Sequence, residues 1–212
     1  MKIYIVRHGE TNLNKKRILQ GIYDEPLNEE GILLAKISGK ALKGIHFDEA
    51  FSSPLSRSVD TVKYILEESG NINTPIHLDS RIQEINVGDW ALSKLDNKED
   101  PNNKNIAQFF LDPFSFLEIP NGENVFDVLK RSKDFLLNII NRNDQKTYLI
   151  GTHGFAMRAM LNSIYENKED FWHGRVPYNC CFNILEVLDG KIRIIEEDIC
   201  YYDSEKKDYF KK

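Results

Sequence analysis

Apolar and polar positions along the chain repeat with two different periods, and the switches between those periods mark out its elements. Short β-branched runs predict strands at Lys2–Val6 (KIYIV), within Phe47–Pro54 (FDEAFSSP), from Pro75 toward Glu84 (PIHLDSRIQE) and along Lys146–Gly154 (KTYLIGTHG). Steps of three and four predict helices between them. Leu27–Leu42 has Asn28 as N-cap, an apolar stripe of Ile32, Leu33, Ala35, Ile37, Ala41 and Leu42, and a weak spot at Gly31. Leu55–Ser69 puts Leu55, Val59, Val62, Ile65 and Leu66 on one side, and Gly70 stops it. Glu123–Ile140 offers Val125, Val128, Leu129, Phe135, Leu136, Ile139 and Ile140 for burial, and Phe155–Tyr165 follows the fourth strand as a further helix. Cys180–Ile199 alternates about an Asp189-Gly190 turn, the pattern of a β-hairpin. The final DSEKKDYFKK reads as a solvated tail.

Strands alternating with helices, closed by a hairpin, predict a three-layer α/β/α sandwich with a mostly parallel central sheet and an antiparallel edge. Residues 86–122 break the pattern. Leu95–Asn105 is polar and rich in Asn, and Ile106–Pro120 is aromatic and interrupted by Pro113. The phenylalanines carry too much apolar surface for a disordered linker, so the stretch reads as an insert, or lid, on a single domain spanning residues 1–212. Trp90 and the phenylalanines read as core, not as substrate contacts.

Composition narrows the function classes. With 212 residues, 41% hydrophobic and 29% charged, the chain has the make-up of a globular enzyme. A formal net charge of -5 gives no basic field for nucleic acid, so any anion site has to be local. No apolar run approaches a membrane span, and no basic-then-apolar leader opens the chain, so no membrane partner and a cytoplasmic location are expected. Three cysteines without a C-x-x-C argue against a disulfide framework and for a reducing compartment. The five histidines and three cysteines lack metal-ligand spacing, and no metal or other cofactor is expected.

In parallel sheets, ligands bind beyond the carboxyl ends of the strands. Arg7 and His8 follow the first predicted strand, Arg57 the second, Glu84 the third, and His153 with Gly154 the fourth. Two guanidiniums and helix N-terminal amides form a receptor for a tetrahedral dianion. A neutral imidazole beside them is a nucleophile for a phosphoryl group, and a carboxylic acid can protonate the leaving oxygen. Asp79 and Asp89 are fallbacks for the acid. His46, His77 and His173 have no such partners and read as surface or packing residues. Lys15 and Lys16 read as a solvated face.

The ordered motifs RHGET, NLNKKRILQGIYDEPLNEEG, SSPLSRSVDT, EINVGDW and THG resemble the histidine phosphatase superfamily in its phosphoglycerate-mutase-like branch, over Met1 to about Asp198. The resemblance implies His8 as phosphoryl acceptor, Arg7, Arg57 and His153 as phosphate ligands, and Glu84 as proton donor. Asn14, Gln20 and Gly21 fall where members contact phosphate or substrate. Gly9 lets the backbone turn beside His8, and Gly154 leaves its amide open. Family members often continue Gly-x-Trp with Glu-Gly, whereas here Ala91 and Leu92 follow Trp90. The expected activity is metal-independent hydrolysis of a small phosphorylated metabolite. The alternatives are a phosphoglycerate mutase and a phosphoryl-binding module without turnover. A mutase needs extra cations near the site, and no arginine occurs between Ile82 and Lys130. Monomer and dimer are both open.

Overall fold

A computed structural model describes residues 1–116 and 118–203. The expected solvated tail thus lies outside the described residues, Asp203 apart. The strands are β1 (Lys2–Arg7), β2 (Glu49–Ser52), β3 (Ile76–Leu78), β4 (Thr147–Thr152), β5 (Phe182–Leu188) and β6 (Lys191–Ile199). The α-helices are α1 (Asn12–Lys15), α2 (Glu29–Ala41), α3 (Ser56–Ser69), α4 (Asn103–Leu111), α5 (Val125–Ile140) and α6 (Gly154–Asn162). One six-stranded sheet has the order β3-β2-β4-β1-β5-β6. The first four strands in that order are parallel, and β5 and β6 form the antiparallel edge.

Strand alternation divides the core into two apolar layers. Ile3 and Ile5 of β1, with Tyr148 and Ile150 of β4, pack against Phe135, Leu136 and Ile139 of α5 and Met157 and Met160 of α6. Tyr4, Val6 and Leu149 face the other way, onto Leu34 and Ala35 of α2 and Val62, Ile65 and Leu66 of α3. The result is the expected three-layer sandwich.

Several local expectations shift. The third strand covers three residues and then passes into a 3-10 turn at Ser80–Ile82. Helix α2 is capped by Asn28, whose side chain accepts from the Gly31 amide, but its buried face is Gly31, Leu34, Ala35, Ser38 and Gly39. Leu33, placed in the stripe from the sequence, is exposed. Gly31 is a contact and not a weak spot: a Cβ there would lie 2.1 Å from the Glu10 carbonyl oxygen. Small residues let α2 approach the chain just after β1, so its burial follows backbone proximity more than apolar size. Asp189 and Gly190 both take positive φ, 50° and 72°, as the two-residue hairpin turn requires.

Residues 86–122 hold a 3-10 turn at Gly88–Trp90, helix α4 and a second turn at Pro113–Ser115. Trp90 meets Phe109 and Phe116 edge-on inside a third apolar cluster shared with Phe155 and Phe171. Backbone bonds from Leu19 N to Ser93 O, and from Leu92 N and Leu95 N to Leu19 O and Arg17 O, tie the insert to the segment after β1.

The expectation of unpaired cysteines is corrected. Cys181 and Cys200 are joined as a disulfide with Cα atoms 4.5 Å apart. They extend the β5–β6 ladder one step beyond the Phe182–Ile199 pair, which sets cross-strand neighbours close enough to bridge. Cysteine usage therefore no longer argues for a reducing compartment. Among the described residues no helix is long and apolar enough to cross a membrane.

Candidate active site

Adjacent parallel strands β2, β4 and β1 end side by side, and their carboxyl ends deliver the candidate residues. The β1–β4 register pairs Arg7 with Thr152, and the His8 amide donates to the Thr152 carbonyl. That lockstep puts His8 and His153 at equivalent heights. Their rings lie 5.1 Å apart between centroids.

His8 is 3% exposed, and its Nδ1 lies 2.7 Å from the Gly9 carbonyl oxygen. A carbonyl only accepts, so Nδ1 carries the proton and Nε2 keeps its lone pair. Burial, reinforced by the charges of Arg57 and Arg7, holds the His8 pKa well below the usual histidine value, while the Gly9 bond opposes that shift. His153, fully buried, is held down in the same way by desolvation and by Arg57. Its Nε2 sits 2.7 Å from the Ser53 hydroxyl, which also accepts from Leu55 N. The other ring nitrogen of His153, Nδ1, is buried without a partner.

The two arginines are anchored and incompletely satisfied. Arg7 Nη1 donates to the Pro177 carbonyl, and Arg57 donates from Nη1 to Tyr23 O at 2.7 Å and from Nη2 to Gly21 O at 2.8 Å. Both Nε atoms are buried without a partner. Desolvation lowers both pKa values, that of Arg57 to about 10, with Glu84 as the largest opposing charge on each. Two guanidinium N–H groups and one imidazole nitrogen without partners are groups that could receive an anion. A Cβ on Gly154 would come within 3.5 Å of Arg7 Nε, so the glycine keeps that edge open.

Glu84 faces these cations from the start of α6. Its Oε1 accepts from Ile85 N at 3.0 Å and Ala156 N at 3.1 Å, and its Oε2 accepts from Phe155 N at 3.2 Å. The carboxylate thus caps α6, whose N-cap His153 makes no side-chain cap bond. The fallback acids stand elsewhere: Asp79 is bound to Arg81, and exposed Asp89 to Asn121.

Arg7, His8, Asn14, Gln20, Gly21, Arg57, Glu84 and Gly154 line one cavity of about 600 Å³, its open mouth included. His153 is not among the lining residues, though its ring neighbours that of His8. Asn14 Oδ1 is used in capping α1, accepting from Thr11 N. Gln20 Oε1 accepts from the Thr11 hydroxyl, and Gly21 holds Arg57 through its carbonyl. Sequence reasoning missed Ser53, Asn179 and Arg131. Asn179 donates to the carbonyls of His8 and Gly9. Arg131 grips the carbonyls of Arg81, Gln83 and Glu84. Ser53 was legible in SSPLSR, one residue past β2, whereas nothing local marks the other two. Phe109 and Phe110 line the cavity as well as packing in the third apolar cluster, as expected of core aromatics.

A buried anion receptor at the strand ends, with a bare imidazole nitrogen inside it and a carboxylate across from it, defines a protein of the phosphoryl-handling class on an α/β sheet. The chain belongs to the histidine phosphatase superfamily, branch 1, whose family profile matches residues 3–198. A 2,3-bisphosphoglycerate-dependent phosphoglycerate mutase of Bradyrhizobium sp. (strain ORS 278) is 34% identical over 75% of this chain and 78% of its own. Phosphoserine phosphatase 1 of Hydrogenobacter thermophilus is 30% identical over 94% of this chain and 92% of its own. The solved structure of Bacillus stearothermophilus YhfR superposes with a TM-score of 0.85 at 27% identity, covering 94% of this chain and 98% of that one.

Proposed function

We propose that this enzyme hydrolyses phosphomonoesters through a phosphohistidine on His8. The phosphoryl group sits among Arg7, Arg57 and His153, using the unpartnered nitrogens of all three. His8 Nε2 bonds to phosphorus as the ester P–O bond breaks, and the departing alkoxide takes a proton from Glu84. Water then bonds to phosphorus as the P–N bond breaks, and its proton passes to the Glu84 carboxylate. The products are the alcohol and inorganic phosphate. Charge neutralisation and in-line positioning must together supply on the order of 20 kcal/mol of transition-state stabilisation.

One observation carries hydrolysis over transfer. Among the described residues lining the cavity, Arg7 and Arg57 are the cationic side chains, and the phosphoryl group engages both. A mutase must also hold a carboxylate beside the phosphate, and no further lysine or arginine among the described residues lines the cavity to do so. The phosphatase relative also aligns along 94% of the chain, against 75% for the mutase. The mutase reading has its own support in that relative's higher identity, 34% against 30%.

The deciding experiment supplies 3-phosphoglycerate with a 2,3-bisphosphoglycerate primer, and separately a set of phosphomonoesters, to wild type and to His8→Ala. Hydrolysis predicts phosphate release by wild type, an acid-labile phosphohistidine in quenched samples, and loss of both in the variant. Rapid 2-/3-phosphoglycerate exchange without phosphate release establishes the mutase instead.

A further inference from the structure

Beyond the phosphate receptor the cavity changes character. Leu19, Val87, Phe110, Phe155, Trp172 and Val176 form the wall that faces a substrate's alcohol portion. The aromatic rings are mutually fixed. Phe110 stacks on Trp172 at 20° and 5.8 Å, Phe155 meets Trp172 edge-on at 5.7 Å, and Phe109 stacks on Phe155 at 15° and 5.3 Å. Such a braced wall offers flat apolar area with little side-chain entropy left to lose on binding.

Charge points the same way. The charged lining groups are the two arginines, which face the phosphate, and Glu84. A compact substrate bearing a carboxylate a few bonds from phosphorus would bury that charge against apolar walls and beside Glu84, with no further cation among the described lining residues to meet it. Two more arginines stand nearby, but Arg17 and Arg175 line an adjoining cavity and not this one. That cavity shares Leu95, Phe110, Trp172 and Val176 with the catalytic one, so the apolar surface continues outward from the phosphate.

We propose that the alcohol portion of the substrate is an uncharged apolar group of aromatic-ring size, seated on the Phe110–Phe155–Trp172 wall. This rests on the hydrolytic reading of the same site. It goes beyond that reading in setting the selectivity: phosphate esters of bulky apolar alcohols are preferred over phosphorylated amino acids, hydroxy acids and glycerol.

The test holds leaving-group chemistry constant. kcat/KM is measured for 2-phenylethyl phosphate, ethyl phosphate, O-phosphoserine and 3-phosphoglycerate. In parallel, calorimetry measures the binding of the non-hydrolysable 2-phenylethylphosphonate and ethylphosphonate. Burial of one phenyl ring predicts roughly a 10- to 100-fold preference for the phenylethyl compound in both assays. In Phe110→Ala the phenylethyl-to-ethyl ratio should fall at least about fivefold. Equal kcat/KM for the two esters, or faster turnover of phosphoserine or 3-phosphoglycerate, overturns the proposal and leaves hydrolysis standing. Preferential phosphonate binding with no phosphate release from any ester upholds the apolar subsite and overturns the hydrolytic reading instead. Equal binding of the two phosphonates removes the subsite whatever the turnover.

Discussion

At the scale of single residues, the two histidines behave as neutral groups held inside a cationic pocket. In the proposed reaction His8 needs its lone pair to attack, and its depressed pKa keeps that lone pair free at pH values where an ordinary histidine is half protonated. The acid limb of kcat/KM assigned to His8 should therefore fall well below pH 6.5 once substrate ionisation is allowed for. A limb at 6.5 would count against the buried neutral nucleophile. Stability follows by linkage. Native His8 and His153 resist protonation while the unfolded chain takes up protons near pH 6.5, so stability is full above that value and is lost as pH falls toward the native pKa values. Each histidine contributes a slope of about 1.4 kcal/mol per pH unit within that window. Urea titrations at pH 7.5, 6.5 and 5.5 measure it, and His153→Gln should remove one share. The adjacency of Arg7 and His8 was legible in five consecutive letters. The tautomer was not, because it depends on where the Gly9 carbonyl points.

At the scale of elements, helices act on the site through backbone they touch. Arg131 of α5 donates to the carbonyls of Arg81, Gln83 and Glu84, in the segment carrying Glu84, and its other donors bind Glu123, which in turn accepts from Asn86 N. It is a positioning residue for the acid. Arg131→Ala should lower kcat on alkyl phosphates by up to about 100-fold. The loss should be several-fold smaller on 4-nitrophenyl phosphate, whose leaving group needs little protonation. Arg131→Lys cannot reproduce the forked geometry and should restore only part. Equal losses on both substrates would reduce Arg131 to a structural role. Helix α2 acts by proximity: Gly31→Ala drives a methyl into the Glu10 carbonyl beside the catalytic loop, and should cost about 1–3 kcal/mol of stability, read by chemical denaturation. Periodicity found the buried face of α5 nearly correctly, because apolar size decides burial there; on α3 it found Val62, Ile65 and Leu66 but not the buried Ser58, Thr61 and Ser69. It misread α2, where Gly31, Ser38 and Gly39 are buried because they are small. Arg131 looked like one more polar position on an amphipathic helix, since its partners are carbonyls about fifty residues away.

At the scale of the whole molecule, the sheet order makes one site out of distant segments. Strands β2, β4 and β1 are neighbours although two long crossovers separate them in sequence, and parallel pairing aligns their carboxyl ends. The alternation of strand and helix made this arrangement readable in advance, and strand-end chemistry pointed to the candidate site. The aromatic wall was not readable, since it depends on which distant surfaces meet, whereas the disulfide follows from the register of the hairpin, which sets Cys181 opposite Cys200. The disulfide sits on the antiparallel edge next to β1. Arg7 N donates to the Cys181 carbonyl, and Cys180 N donates to Arg7 O, so the cross-linked edge is hydrogen-bonded to the catalytic strand. A loop closed across a separation of 19 residues restricts the unfolded chain by roughly 3 kcal/mol in the chain-entropy account. Alkylation of the denatured, unreduced protein should therefore label one cysteine, Cys180, and reduction should expose two more. Cys200→Ser should lower unfolding free energy by about that 3 kcal/mol. Phosphate release at 25 °C should persist in that variant, because the β1–β5 pairing and the Asn179 bonds to the His8 and Gly9 carbonyls still hold the loop. Loss of turnover in a variant that remains folded would instead make the cross-link part of what shapes the catalytic loop.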